Sequence, residues 1–147
     1  MSLWILDSQL IAFCKKHFLG LARLSIFVVY FWFGILKVFG HSPASSLVQS
    51  LFEKTIPFMS FSLFLILFGI FEMIIGVLFL IKGMERLAIV LLVLHMITTI
   101  MPLFVLPATT WTGFMVPTLE GQYIIKNILI IACAMVVGAQ LVPLKKS

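Results

Sequence analysis

Charge is scarce in this sequence. Of 147 residues only 10% are Asp, Glu, Lys or Arg, against 63% that are hydrophobic. Soluble domains carry about 25% charged residues and roughly 45–50% apolar ones, so a soluble domain is excluded as the main body of the chain. Cysteine is nearly absent too. Cys14 and Cys133 are far apart and form no CxxC, which removes dithiol redox chemistry and zinc-finger ligation. No HExxH, EF-hand loop, phosphate-binding loop or dinucleotide glycine pattern occurs, so no metal site is expected. No haem, flavin or iron–sulfur attachment motif is present either. Polar stretches long enough for a separate soluble domain are also lacking.

What remains is long apolar runs. Four spans are expected, over residues 18–39, 58–81, 87–106 and 123–142, each near the 20 or so residues needed to cross a bilayer core of about 30 Å. The expected fold is an all-α integral membrane protein, a single four-helix bundle. The first run is longer than a signal-peptide core, so it reads as a retained span. Residues 3–14 are too short to cross. Leu3, Leu6, Leu10 and Phe13 fall on one stripe there, which predicts a separate N-terminal interfacial helix. Between the first two spans, Ser42 and Pro43 predict a helix start. Leu47, Val48, Leu51 and Phe52 make its apolar face, and Pro57 its stop. This is the expected short outer amphipathic helix.

The net charge of +5 invites a nucleic-acid reading, but its distribution argues otherwise. Lys15, Lys16, Arg23, Lys82, Arg86, Lys145 and Lys146 fall on one side, and only Lys37, Lys54 and Lys126 on the other. This is the positive-inside pattern, with both termini cytoplasmic. Lipid is the expected partner, and nucleic acid is not.

The second span carries one ionisable residue, Glu72. An ionisable group in mid-membrane marks a functional site by default. Gly69 and Gly76 share its helix face. In the first span, Arg23, Tyr30, Gly34, Lys37 and His41 form one stripe, which should face the bundle interior. Counting from the shared inner turn at 1.5 Å per residue puts Glu72 and His95 at one depth, on the order of 12–14 Å in. Cys133 falls in the same layer, and Arg23 lies one or two turns nearer the cytoplasm with a side chain long enough to approach Glu72. A second, outer layer is expected from Lys37, Lys126, Asn127 and Glu120. Glu72 and His95 are thus the catalytic candidates. Lys37, Lys126, Asn127 and Arg23 are the substrate-binding candidates, suited to an anion or a quinone headgroup. The same residues also suit a structural role, since a buried carboxylate needs a partner in either case.

Three segments together resemble the DoxX and DoxX-like membrane proteins. They are RLSIFVVYFWFGILKVFG (23–40), LFGIFEMIIGVLFLIKGMERL (67–87) and TLEGQYIIKNILIIACAMVVGA (118–139). Arg23, Lys37, Glu72 and Lys126 are the positions that match the family pattern. The resemblance implies a four-helix membrane bundle. It also implies a link to redox complexes: some members are thiosulfate:quinone oxidoreductase subunits, others are tied to oxidant resistance, and more distant ones are membrane chaperones. The expected function is a redox-linked subunit without a covalent cofactor, using a quinone. The alternatives are a non-catalytic assembly factor, docked on another membrane subunit or on a second copy, and a small transporter.

Overall fold

A computed structural model describes residues 3–55 and 58–143. The helices are α1 (Leu3–Val38), α2 (Ser45–Thr55), α3 (Phe61–Leu80), α4 (Glu85–Ile100), α5 (Pro102–Val105), α6 (Pro107–Thr110), α7 (Leu119–Lys126) and α8 (Ile128–Gly138). Four helical segments are long and apolar enough to span a membrane: α1, α3, α4 continued by α5, and α7 continued by α8. The expectation of a purely α-helical chain needs one amendment. The loop before α7 folds into a two-stranded antiparallel hairpin, β1 (Trp111–Gly113) on β2 (Val116–Pro117). Met115 turns it with a φ of 58°.

The expected N-terminal interfacial helix is not a separate element. Residues 3–14 continue into the first span as one helix of 36 residues. No proline or glycine interrupts the chain before Gly20, and extending a helix costs far less than nucleating a second one. At 1.5 Å per residue α1 is about 54 Å long, well beyond the bilayer core. Leu3, Leu10 and Phe13 lie exposed on its leading part.

The other boundaries reflect local chemistry. Helix α2 forms where expected but starts at Ser45. The Ser42 hydroxyl accepts from the Ala44 amide at 3.3 Å and so shapes the preceding turn. Pro57, its expected stop, lies outside the described residues, as do Lys145 and Lys146 of the charge pattern. Pro102, which cannot donate a helical hydrogen bond, follows the end of α4 and opens α5. The last span is displaced four residues toward the N-terminus, because the Thr118 hydroxyl caps it by accepting from the Gly121 amide at 3.1 Å. Gly121 belongs to the first helical turn, and a Cβ there would run into the Thr110 carbonyl.

Around the bundle the order is α1, α3, α4, α8, with α8 returning to α1. Ile26, Ile75, Phe79, Leu92 and Val137 fill its centre. The α1–α3 pair is the closest. A Cβ on Gly34 would meet the Gly69 carbonyl oxygen at 2.6 Å, and one on Gly69 would meet the Gly34 carbonyl at the same distance. Gly76 also sits tightly, against Phe27, Tyr30 and Phe31. Small residues let membrane helices approach backbone to backbone, where packing rather than hydrophobicity holds them. At the opposite extreme, α4 and α8 touch least and leave an open apolar groove of about 770 Å³ between them.

Gly69→Ala should therefore push α1 from α3 and destabilise the bundle by about 1–3 kcal/mol, the range for overpacking. Gly20→Ala, with nothing within 4 Å of the new carbon, is the control. Thermal unfolding in detergent reads both, and equal effects would contradict the close approach.

Candidate functional site

Glu72 faces the bundle interior, as its helix face requires, and is 6% exposed. Its two oxygens have separate partners. The Lys37 ammonium donates to Oε2 at 2.6 Å, and His95 Nε2 lies 2.9 Å from Oε1. The depth count that set Glu72 and His95 level is thus met by direct contact. On the far side of the imidazole, Nδ1 is 3.1 Å from the Tyr30 hydroxyl and 3.1 Å from the Thr99 hydroxyl. Phe68 stacks on the ring with centroids 5.0 Å apart. The Lys37 ammonium also sits 5.6 Å over Phe68. Three spans, α1, α3 and α4, meet in this one buried network.

The hydrogen bonds define the roles. In the tautomer that complements the Lys37–Glu72 ion pair, His95 Nε2 donates to Glu72. Thr99 also donates to the His95 carbonyl at 3.0 Å, the usual i−4 bond of a helical threonine. That leaves the Tyr30 O–H to donate to Nδ1 of a neutral ring. A doubly protonated ring would instead donate from Nδ1 to either hydroxyl oxygen. In that state the Tyr30 oxygen accepts, and its own O–H gives up the Nδ1 acceptor it has beside the neutral ring. Among the described residues no buried side-chain nitrogen or oxygen lacks a partner.

Lys37 is the main correction to the expected layout. It does not stand in an outer layer beside Lys126. A helical side chain leans toward its helix N-terminus, which for α1 is inward along the bundle. Gly69 lets this happen: the Lys37 Cβ is 2.9 Å from where a Cβ of Gly69 would be. With no side chain there, the lysine lies along α3 and reaches Glu72 one turn further on.

Arg23 is the second correction. It does not reach Glu72. Its guanidinium donates to Glu85 Oε1 at 2.6 Å, to the Phe79 carbonyl at 2.6 Å and to the Ile81 carbonyl at 3.3 Å. The carbonyls at the end of α3 have no helical partners, and Arg23 supplies them. Glu85 accepts from the Gly83 amide at 2.8 Å through its other oxygen. This cluster staples the α3–α4 turn onto α1. Its sequence signal was available: Arg23 lies early in its span, at the level of that turn.

The outer cation pair does not assemble. Lys126 is exposed, its ammonium 5.6 Å over the Tyr123 ring. The Asn127 side-chain amide donates to the Tyr123 carbonyl at 3.2 Å. Glu120 is half-buried and His41 exposed. Cys133 packs beside the central apolar cluster and makes no hydrogen bond to the network. Tyr30 and Thr99 were visible in the sequence, on the polar stripe and in the third span, but their role depends on which ring atom they face. Among the described residues no group of three His, Cys, Asp or Glu side chains is placed to hold a metal.

No protein-family model, curated protein or solved structure matches this chain.

Removing Lys37 alone should cost about 3–5 kcal/mol, because it strands a buried carboxylate. Lys37→Met combined with Glu72→Gln should recover most of that loss. A double-mutant cycle on unfolding in detergent measures the difference, and additive single effects would refute the pairing.

Proposed function

We propose that this chain is a DoxX-like membrane subunit that handles protons beside a redox partner, in the cytoplasmic membrane of a bacterium with both termini inside. The observation that supports this reading is the buried path Lys37–Glu72–His95–Tyr30. A proton bound at His95 Nδ1 converts the ring to an imidazolium, which Glu72 faces directly. Lys37 already balances that carboxylate, so the network carries one positive charge while the proton is held and none after it leaves. Such a group can hold one proton at the depth of the network. The resemblance of residues 23–40, 67–87 and 118–139 to DoxX proteins supports the redox link.

A quinone headgroup does not fit the open groove. Its wall is made by apolar side chains and one glycine, with no hydrogen-bond donor, and the buried polar atoms are already bonded to one another. The quinone chemistry belongs to the partner or to a diffusible carrier, and this chain contributes the relay.

A second reading has its own support. The network is closed, and neither Glu72 nor His95 lines the groove, as suits an assembly subunit whose polar contacts hold three spans in register. Tyr30→Phe separates the two. It removes one hydrogen bond, at about 1 kcal/mol, and leaves the ion pair intact. The relay reading expects quinol-dependent oxidation in membranes to fall and its pH profile to move, with partner levels unchanged. Unaltered rate and profile would favour assembly.

The topology is checked at Cys14, which is exposed on α1. A membrane-impermeant maleimide should label it in inverted vesicles and not in right-side-out ones.

A further inference from the structure

The groove between α4 and α8 is unused by the buried network, and its chemistry is specific. Ile89, Val93, Met96 and Ile100 form one wall, and Ala134 and Gly138 stand in the other. From Ile89 to Phe104 it runs about 22 Å along α4 and α5. That exceeds the half-thickness of a bilayer core, about 15 Å. No polar group along this length could satisfy a ligand's donors or acceptors, so its occupant is hydrocarbon.

The two ends differ. Near Ile89 the groove narrows, where a Cβ on Gly138 would lie 3.5 Å from Ile89 Cδ1. Arg86 is three residues before Ile89, on the same face of α4. It is exposed and donates to the Val142 carbonyl, bridging α4 to the chain beyond α8. Among the described residues Arg86 has no carboxylate partner. The neighbouring carboxylate, Glu85, is taken by Arg23 and the Gly83 amide. Lys82 adds a second exposed cation in the same turn. At the Phe104 end the groove is lined by Met101 and Phe104, with no charge.

We propose that this groove is a binding site for an anionic phospholipid, with one acyl chain along α4 and α8 and the phosphate at Arg86. The hydrocarbon slot and the exposed arginine one turn beyond its Ile89 end match the two halves of such a molecule. An arginine binds a phosphate oxygen pair bidentately, and among the described residues the Val142 carbonyl is the one acceptor Arg86 bonds. The lipid fills the seam where the bundle's own helices touch least and would tie α4 to α8. This site shares no residue with the buried network and stands or falls independently of it.

Native mass spectrometry of the full chain in detergent tests it, with phosphatidylglycerol and phosphatidylcholine of identical acyl chains as probes. The wild type should retain phosphatidylglycerol about fivefold better, the factor one arginine near a membrane surface supplies. Arg86→Gln should bring the two lipids to parity, while Arg86→Lys should keep part of the preference. Val93→Trp, at a position 52% exposed, plugs the slot without touching the core and should lose the retained lipid. Inorganic phosphate alone should not bind. Equal retention of both lipids by the wild type overturns the proposal, as does a preference that survives Arg86→Gln or binding that survives Val93→Trp. A dimer abolished by Val93→Trp would assign the groove to a second copy instead.

Discussion

The Lys37–Glu72 ion pair is the contact on which the rest of the bundle depends. Two charges taken out of water cost several kcal/mol each, and only good geometry with further hydrogen bonds offsets that. Every nearby feature serves this geometry. Gly34 and Gly69 bring α1 and α3 together closely enough for the ammonium to reach the carboxylate. His95 occupies the second carboxylate oxygen and brings in α4. Tyr30 and Thr99 complete the ring's other nitrogen, and Phe68 covers its face. A shift of one helix by one residue would rotate its side chain by about 100° and break the set. The network therefore sets the register of three spans as well as any chemistry it performs.

A second polar cluster works at the turn joining α3 to α4. Arg23 donates to the Phe79 and Ile81 carbonyls at the end of α3 and to the Glu85 carboxylate. The two clusters divide the labour: one locks the mid-depth layer and the other locks an end. Both tie α1 to α3 and α4, and neither involves α8. Helix α8 packs against them through apolar residues such as Ile130, Ala134 and Val137. The seam between α4 and α8 is accordingly the loosest of the four around the bundle, and the groove of about 770 Å³ opens there.

How far the site could be read in advance varies residue by residue. Glu72 and His95 were legible as a pair, because both lie in spans joined by one short turn and depth comes from counting. Lys37 was not. Its backbone lies toward the other end of its span, and counting from Cα puts it in an outer layer. The side chain's lean toward the helix N-terminus moves the charge by about a turn, and the glycine beneath it decides that the path is open. Arg23 failed as a partner for Glu72 for a complementary reason. Its reach was long enough, but nearer acceptors satisfied it first. Lys126 and Asn127 sit at sensible spacing from Cys133, yet which face of a helix turns inward depends on its neighbours.

By itself the sequence determined the four helices long and apolar enough to span a membrane, the short helix after the first, the break at Pro102 and the depth shared by Glu72 and His95. These rest on local hydropathy, turn chemistry and rise per residue, which involve one segment at a time. The tertiary structure alone decided which polar groups meet, that α1 runs on unbroken through residues 3–14, and that α4 and α8 part to leave a groove. Those outcomes depend on how helices rotate and approach one another. In an apolar chain that is set by a few glycines and one buried charge pair, whose effect exists only once the helices are side by side.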